Sequence, residues 1–174
     1  MYTKERGSFS GSNGVDTVSY LTYTPEGEPK AIVQIAHGMA EHFGRYHAFA
    51  EYLVREGFVV CGNDHLGHGE TAPGPEDFGY FGEKNGWINM MDDLHLLTLK
   101  MKQRYGDLPY FLIGHSMGSL LARAYLTYYG KELSGTVLIG TSGDNPAAKA
   151  ALPLINLISS MKGDRHRSGL IYYL

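Results

Sequence analysis

Four short, almost wholly apolar runs recur along this chain, and segments with helical periodicity separate them. The apolar runs are residues 31–36, 58–61, 110–113 and 136–139. Apolar residues three or four positions apart predict helices at residues 46–56, 87–105 and 117–129. Continuous apolar runs of this length are typical of parallel strands that are buried on both faces of a sheet. The alternation therefore predicts a three-layer, doubly wound α/β fold with a mostly parallel sheet.

The residues before the first apolar run predict a hairpin rather than a parallel strand. Residues 17–23 are rich in β-branched and aromatic side chains, and residues 8–10 alternate between polar and apolar. A turn-rich segment at residues 11–14, G-S-N-G, lies between them. Two such segments joined by a glycine-rich turn predict an antiparallel pair of strands.

Composition excludes several classes of protein. The 174 residues hold 15 Lys and Arg against 18 Asp and Glu, a net charge of -3, so we expect no nucleic-acid partner. With 43% hydrophobic residues, the chain can bury one core. The single cysteine, Cys61, stands in an apolar run, which predicts a buried thiol and no disulfide within the chain.

Neither a leader peptide nor a membrane span is apparent in the sequence. Charged residues near the N-terminus have no apolar segment behind them, and no window reaches the roughly 18 apolar residues of a span. These features predict a cytoplasmic protein.

The most informative motif follows the third apolar run. Residues 114–118, G-H-S-M-G, fit the pattern G-x-S-x-G between a strand and a helix, which is the context in which this pattern marks a nucleophile. Ser116 would stand on a strained turn that leaves no room for side chains at Gly114 and Gly118. The alternative is a glycine-flanked serine that caps an ordinary helix. We therefore predict Ser116 as a catalytic nucleophile.

An acyl-transfer nucleophile needs N–H donors for the negative oxygen that forms during the reaction. One donor should be the backbone of the next residue, Met117, and the other should lie in a loop after an earlier strand. The loop at residues 37–42, H-G-M-A-E-H, fits that role, with Gly38 allowing the turn and the Met39 N–H able to face Ser116. An ordinary strand-to-helix connection is the structural alternative for this loop.

Residues 64–69, D-H-L-G-H-G, hold two histidines and an aspartate close together. Histidine and aspartate are common metal ligands, so this segment could indicate a metal site. Because no further cluster of ligands accompanies them, the pattern favours histidines that hydrogen-bond backbone groups and shape a pocket wall. On a predicted helix, Asp92, Asp93 and His95 are adequately explained by solvent exposure or by hydrogen bonds in the core. We expect no metal and no cofactor.

Three ordered motifs together resemble the monoacylglycerol lipase and lysophospholipase branch of the α/β-hydrolases, a group also labelled serine aminopeptidase-like. The motifs are residues 37–42 with Arg45 and Tyr46, residues 64–69, and residues 114–118. The resemblance extends to about Ser142 and implies an α/β-hydrolase fold. It implies Ser116 as the nucleophile and Met39 and Met117 as backbone oxyanion donors. The supporting positions that it implies are His37, Glu41, Asp64 and His68.

Two features depart from the family pattern. Thr71 follows Glu70 where the family usually has serine, which is a conservative change. In such enzymes the acid and the histidine base also lie on later strands, beyond a helical cap. We therefore expect residues 1–143 to form the N-terminal part of a truncated hydrolase core and residues 144–174 to begin the cap. The C-terminal core, with the acid and the base, is expected outside this chain.

The predicted cap segment is apolar but interrupted. Residues 147–161 are broken by Lys149, Pro153 and Asn156, which predicts the first cap helices, and a basic run follows at residues 162–167. The segment is equally compatible with a lid that faces acyl chains or a membrane surface and with a helix packed on its own domain.

A triad within the chain is the alternative arrangement. After Ser116 the only histidine is His166, and the only aspartates are Asp144 and Asp164. Asp144 follows the fourth apolar run, a location that some lipases use for their acid. However, no strand precedes His166 to hold its imidazole near Ser116, and a base has to lie within hydrogen-bond distance of the nucleophile. The favoured interpretation is a fragment of a larger enzyme.

The sequence thus predicts a serine hydrolase of carboxylic esters that works through an acyl-enzyme on Ser116. The resemblance implies a small-molecule ester or lipid substrate, such as a monoacylglycerol or lysophospholipid, and a transient contact of the cap with a membrane surface. The oligomeric state stays open. The rival hypothesis is a catalytically incomplete half-domain that binds a ligand or a partner chain through an open sheet edge at residues 136–139.

Overall fold

The computed structural model of the chain describes residues 1–144, 146–163 and 165–166. It contains two compact units, Met1–Thr141 and a second one that begins at Ser142. The strands of the first unit are β1 (Tyr2–Ser10), β2 (Thr17–Pro25), β3 (Ala31–Ala36), β4 (Phe58–Asn63), β5 (Tyr110–His115) and β6 (Gly135–Ile139). Its α-helices are α1 (His47–Arg55), α2 (Gly86–Tyr105) and α3 (Met117–Tyr129), and short 3₁₀ helices lie at Phe43–Tyr46, Pro75–Asp77 and Gly130–Glu132. The second unit contains α4 (Pro146–Lys162).

The six strands form one sheet in the order β1-β2-β4-β3-β5-β6. β3 pairs in parallel with β4 and β5, β6 pairs in parallel with β5, and the pairs β1–β2 and β2–β4 are antiparallel. This arrangement confirms the predicted mostly parallel α/β fold. Because Ala36 pairs with Gly114, the carboxyl ends of β3 and β5 lie side by side. The loop at residues 37–42 and the turn at residues 114–118 are therefore neighbours.

The predicted antiparallel pair at the start of the sheet is confirmed. β1 and β2 pair in register over the whole length of both strands. The Gly11 N–H closes the turn by donating to the Asp16 carbonyl oxygen at 2.8 Å. The turn is held to α2 because the Ser12 N–H donates to the Asp93 carboxylate at 2.7 Å.

Side chains of β3 alternate between the two faces of the sheet, as the strand period of two requires. Val33 and Ile35 pack on one face with Ala50 and Val54 of α1. Ile32 packs on the other face, in a cluster with Leu97 and Met101 of α2. α3 packs beside α2 on that second face through Leu121, Ala122 and Tyr125. One helix therefore covers one face of the sheet and two helices cover the other.

A polar residue, Gln34, lies fully buried in the middle of β3. Its amide nitrogen donates to the Leu94 carbonyl oxygen of α2 at 2.9 Å. Its amide oxygen accepts from the hydroxyl groups of Thr98, at 2.9 Å, and Tyr110, at 2.5 Å. Because both ends of the amide are hydrogen-bonded, the cost of burying it is offset. The network ties β3 to both β5 and α2.

β6 forms an edge of the sheet and has one neighbouring strand, β5, within the described residues. Its apolar side chains Val137, Leu138 and Ile139 are 50%, 37% and 48% exposed. An unpaired edge with exposed apolar side chains is a surface on which a further strand can pair. The open edge predicted at residues 136–139 is therefore present.

In its described residues, 142–144, 146–163 and 165–166, the second unit contains a single helix, whereas the sequence predicted the first cap helices. α4 runs without a break from Pro146 to Lys162, and Pro153 lies inside it. Lys149 does not interrupt the helix, and its ammonium group pairs with the Asp144 carboxylate at 2.8 Å. Of the predicted basic run, Asp164 and Arg167 lie outside the described residues.

No helix in the described ranges is both long enough and apolar enough to cross a bilayer. The cytoplasmic location stays a prediction.

The N-terminus of α3 lies closer to β3 than a side chain would allow. A Cβ atom on Gly118 would lie 2.1 Å from the Ala36 carbonyl oxygen and 2.6 Å from that of His37. A Cβ atom on Gly114 would lie 2.5 Å from the Gly118 carbonyl oxygen. These two glycines allow α3 to pack on the sheet by backbone-to-backbone contact.

We expect Gly118→Ala to lower the free energy of unfolding by about 3 kcal/mol, because the added methyl group would overlap carbonyl oxygens that cannot move without shifting β3. The matched control is Gly130→Ala at the other end of α3, where a Cβ atom would meet only Leu126, at 3.5 Å. Gly130 has a helical φ of -57°, so the control should change stability by less than about 0.5 kcal/mol. Urea unfolding followed by circular dichroism measures both values, and equal midpoints would contradict the prediction.

Candidate active site

Ser116 lies at the turn between β5 and α3 in a backbone conformation that is rare for serine. Its φ is 51° and its ψ is -118°; a conformation of this kind costs about 1–3 kcal/mol for a residue with a side chain. Its N–H donates to the Ile139 carbonyl oxygen at 2.9 Å, which holds the turn against β6. The side chain is exposed. The strained turn predicted between Gly114 and Gly118 is thus present.

Ser116 occupies the N-cap position of α3, but its side chain makes no capping hydrogen bond. A capping serine has an extended backbone, and its hydroxyl accepts a helix N–H. Here Ser119 instead donates to the Ser116 carbonyl oxygen, through its N–H at 2.9 Å and its hydroxyl at 2.6 Å. Residues 1–144 offer no hydrogen-bond partner to the Ser116 hydroxyl. That hydroxyl is therefore available to a reacting group.

The loop after β3 lies directly against the Ser116 turn. A Cβ atom on Gly38 would lie 3.2 Å from the Ser116 Cβ and 2.8 Å from Oε1 of Glu41. The positive φ in this loop, of 56°, belongs to Ala40 and not to Gly38. Gly38 allows the turn because its neighbours leave no room for a side chain.

Hydrogen bonds engage the N–H groups on either side of Met39. The Gly38 N–H donates to the Glu41 carboxylate, and the Ala40 N–H donates to Nε2 of His68 at 3.2 Å. The N–H groups of Met39 and of Met117, the first residue of α3, have no acceptor among the residues described. Free N–H groups at a helix N-terminus carry partial positive charge. The Met117 N–H, at the start of α3 next to Ser116, is thus able to bind an anion. Met39 follows Gly38 in the loop that packs against the Ser116 turn.

The Glu41 carboxylate joins this loop to the Ser116 turn. Besides the Gly38 N–H, its Oε1 accepts the Tyr46 hydroxyl at 2.7 Å and lies 3.0 Å from Nδ1 of His115. The Arg45 guanidinium lies 3.5 Å from Oε2. Burial raises the pKa of the carboxyl, but the hydrogen bonds outweigh it and lower the pKa below its ordinary 4.5. Glu41 is therefore a partly buried, ionised acceptor.

Sequence reasoning gave His115 and Tyr46 no separate role in this cluster. The Tyr46 hydroxyl also lies 3.0 Å from Nδ1 of His115. Both residues stand inside recognised motifs, yet no rule of spacing connects positions on different loops. Only the pairing of β3 with β5 brings them to the same carboxylate.

Three histidines after β3 and β4 hydrogen-bond backbone groups. The His65 N–H donates to Nε2 of His37 at 2.9 Å, so Nδ1 of His37 carries the proton that is donated to the Gly38 carbonyl oxygen at 2.8 Å. Nε2 of His68 accepts the Ala40 N–H, which leaves Nδ1 to donate to a carbonyl oxygen two residues earlier. These contacts match the prediction that the histidines shape the loops. Over the described ranges, no group of three or more His, Cys, Asp or Glu residues could hold a metal ion.

Burial keeps two of these imidazoles neutral. It lowers the pKa of His37 to about 4 and that of His65 well below 6.5. The centroids of the two rings lie 4.0 Å apart, so two positive charges there would also repel each other. Both rings are therefore neutral at pH 7, and the hydrogen bond that His37 accepts at Nε2 requires a neutral ring.

Asp64 joins the loop after β4 to the first turn after β3. Its two carboxylate oxygens accept the N–H groups of Phe43 and Glu70, each at 2.8 Å. The Thr71 hydroxyl donates to the Asp64 carbonyl oxygen at 2.7 Å. A serine could make the same hydrogen bond, which explains why threonine here is a conservative change.

Three polar residues of α2 bind neighbouring elements, as the sequence interpretation expected. Asp92 accepts the Tyr129 hydroxyl at 2.9 Å, and Nε2 of His95 lies 2.9 Å from the Glu132 carboxylate. Asp93 accepts the backbone N–H from the β1–β2 turn, and its burial raises its pKa to about 6.

Asp144 and His166, which would complete a triad with Ser116 inside this chain, both belong to the second unit. Asp144 is 70% exposed and pairs with Lys149 in the same unit. The His166 N–H donates to the Gly163 carbonyl oxygen at 3.1 Å, in a turn after α4. No strand precedes His166 in the described part of this unit.

Comparison with known proteins identifies the family. Residues 27–169 match the family described as "Serine aminopeptidase, S33". The chain belongs to this family. It is 35% identical over 138 residues to the monoacylglycerol lipase of Mycolicibacterium smegmatis and 32% identical over 124 residues to the monoglyceride lipase of Homo sapiens. These matches cover 79% and 67% of this chain but 47% and 37% of the two relatives, so the chain spans about half the length of these relatives or less.

Solved structures support the same assignment. A highly thermostable carboxyl esterase from Bacillus coagulans, in complex with glycerol, is 41% identical with a TM-score of 0.86, over 99% of this chain and 55% of that one. A lipase in an open form is 33% identical with a TM-score of 0.79, over 91% of this chain and 51% of the lipase. The predicted α/β-hydrolase fold and the resemblance to the N-terminal portion of monoacylglycerol lipases are confirmed.

We expect Glu41→Gln to lower the free energy of unfolding at pH 7 by about 2 kcal/mol, because the hydrogen bonds to a charged acceptor become weaker bonds to a neutral one. The folded-state pKa of Glu41 lies below its ordinary 4.5. The stability that the ionised carboxylate contributes is therefore present above pH 4.5 and disappears as the pH falls through the folded-state pKa. Thermal unfolding from pH 3 to pH 7 should therefore show the two proteins converging in acid. Glu28→Gln, at an exposed position, is the control; a constant difference at all pH values would contradict the prediction.

We expect the His37 imidazole to titrate near pH 4 and to carry its proton on Nδ1 at pH 7. The lowered pKa means that this residue stabilises the fold fully above pH 6.5 and loses that contribution as the pH falls toward 4. Long-range ¹H–¹⁵N correlation spectra of histidine-labelled protein report both the tautomer and the pKa. A midpoint near 6.5, or a proton on Nε2, would refute this assignment.

Proposed function

We propose that this chain supplies the nucleophile and the oxyanion donors of a carboxylic-ester hydrolase that acts on single-chain lipid esters. The observation that carries the proposal is the strained, exposed Ser116, whose hydroxyl is unengaged beside the free N–H groups of Met39 and Met117. The names of the M. smegmatis and human relatives support a monoacylglycerol as the type of substrate, and a lysophospholipid is the alternative that the sequence motifs imply.

In the proposed reaction, Oγ of Ser116 attacks the acyl carbonyl carbon, and its proton passes to a histidine base. The carbonyl oxygen becomes negative and accepts the N–H groups of Met39 and Met117, each worth about 2.7–4 kcal/mol in comparable enzymes. Collapse expels the alcohol, which takes the proton from the base. Water then attacks the acyl-serine, releases the carboxylic acid and restores Ser116.

The supporting residues act on the loop that carries the Met39 donor. Glu41 and His68 engage the N–H groups on either side of Met39, and the neutral His37 accepts the His65 N–H and donates to the Gly38 carbonyl oxygen. Asp64 holds the adjoining loops together. An oxyanion donor that is fixed before the substrate binds needs no reorganisation during the reaction, which is the source of its catalytic effect.

The acid and the base are proposed to come from outside this chain, with residues 1–143 as the N-terminal hydrolase core and residues 144–174 as the start of a cap. The exposure of Asp144 and its ion pair with Lys149 favour this over an internal triad with His166. α4 exposes Leu152, Leu157 and Met161, which supports a transient contact of the cap with a lipid surface.

The exposed edge of β6 favours a second candidate function for the isolated chain. A half-domain with an open edge would bind a partner chain there without turning over a substrate. The exposure of Val137 and Ile139 is the observation behind this alternative.

Labelling with a fluorophosphonate probe, combined with the intact mass of the same sample, tests the catalytic proposal. We expect one covalent label, on Ser116, in protein whose mass exceeds the 19.2 kDa of these 174 residues, because the base is proposed to lie outside them. The label is lost in Ser116→Ala because the attacking oxygen is removed. Ser10→Ala changes an exposed serine of β1 and should keep the label. A sample of these 174 residues with no label on Ser116 would favour the non-catalytic half-domain.

A further inference from the structure

Asp93 of α2 is a buried carboxyl group with a hydrogen bond at one of its two oxygens. The residue is 1% exposed. Oδ1 accepts the Ser12 N–H at 2.7 Å, whereas Oδ2 is buried and has no hydrogen-bond donor in the described ranges of the chain. An ionised carboxylate accepts several donors in water, and burying it without them costs free energy. This position therefore favours the neutral acid.

The charges that act on Asp93 do not offset its burial. Burial above all, and then the negative charges of Asp92 on α2 and Asp16 on the turn between β1 and β2, raise the pKa of Asp93 from 3.8 to about 6. The hydrogen bond from the turn opposes part of this rise. His95, two positions further along α2, lies with its Nε2 2.9 Å from the Glu132 carboxylate and so pairs with a different acid.

The turn between β1 and β2 docks on α2 through Ser12 and has hydrogen bonds of its own. Besides the N–H bound to Asp93, the Ser12 hydroxyl donates to a carbonyl oxygen of α2 at 3.0 Å. Within the turn, the Gly11 N–H donates to the Asp16 carbonyl oxygen at 2.8 Å, and Oδ1 of Asn13 accepts the Asp16 N–H at 3.0 Å. Because these bonds do not involve α2, the turn can undock without losing them.

β2 connects this turn to the candidate active site. The strand begins directly after the turn, and its Ser19 N–H donates to the Thr71 hydroxyl at 3.0 Å. The Ser19 carbonyl oxygen accepts the Asp64 N–H at 2.9 Å. Asp64 in turn accepts the Phe43 N–H after β3. The docking of the turn on α2 is thus linked by hydrogen bonds to the loops that surround the site.

We propose that Asp93 is a pH-sensitive switch that controls how firmly the turn between β1 and β2 docks on α2. With a proton on Asp93 the turn stays docked. With Asp93 ionised, the undocked turn is more populated, because undocking gives the charge access to water. Since the pKa is about 6 when docked and 3.8 in water, docking is firmest below pH 3.8 and weakens as the pH rises to 6.

Hydrogen exchange of the intact protein, followed by ¹H–¹⁵N correlation spectra, tests the proposal at Ser12. The Ser12 N–H is bound to Asp93, so its protection factor, corrected for the intrinsic exchange rate, should rise about tenfold from pH 7 to pH 5. The control is the Gly11 N–H, whose acceptor lies within the turn; its protection factor should change less than about twofold. A Ser12 protection factor that is independent of pH, or an equal change at both amides, would overturn the proposal.

Asp93→Asn replaces the switch by a neutral side chain of the same shape. The variant should lose the pH dependence of protection at Ser12. Its unfolding equilibrium constant at pH 7 should be about 100-fold smaller than that of the unsubstituted protein, and at pH 4 the two should agree within about threefold. Asp107→Asn, at an exposed position before β5, is the control and should leave this constant unchanged. Urea unfolding measures all three proteins, and an Asp93→Asn variant less stable than the unsubstituted protein at pH 7 would refute the switch.

Discussion

Backbone crowding where α3 meets β3 is the constraint on which the rest of this site depends. A Cβ atom at Gly118 would lie 2.1 Å from the Ala36 carbonyl oxygen, so helix and strand touch through their main chains. The residue between β5 and α3 has to turn sharply in that space, and Ser116 does so with a φ of 51°. Its N–H is bound to the Ile139 carbonyl oxygen, so the turn cannot relax without separating β5 from β6. The packing of the sheet thus maintains a local strain that leaves the serine hydroxyl exposed.

Carboxylates and neutral histidines then hold the neighbouring loops in place. Glu41 accepts one backbone N–H and Asp64 accepts two, and the His37 ring bridges the loops after β3 and β4. Loops rich in glycine would otherwise lose conformational entropy without compensation when they become ordered. The hydrogen bonds of Glu41, Asp64 and His37 offset the cost of burying these groups and also hold the loop that carries Met39.

The elements of the fold were largely predictable because hydrophobic periodicity reports burial directly. β3 and α3 have the predicted bounds, and the antiparallel hairpin follows from its turn residues. Errors arose where the local signal was ambiguous. Pro153 was expected to interrupt the cap segment, yet α4 continues through it. In the site, the motifs identified Ser116, Met39 and Met117 as candidates, whereas the cluster of Glu41, Tyr46 and His115 had no signal in residue spacing.

By itself the sequence determined the alternation of strands and helices, because the period of apolar residues reports it. It also determined the position of the turn at residues 114–118 and the glycines that this turn requires, because these depend on local sterics. Tertiary structure decided which residues meet across loops. It assigned the positive φ to Ala40 rather than to Gly38. It also engaged the N–H groups on either side of Met39, whose own N–H has no acceptor in the described part of the chain. Such contacts join positions far apart in the chain, and only the register of β3 against β5 and the packing of α3 bring them within hydrogen-bond distance.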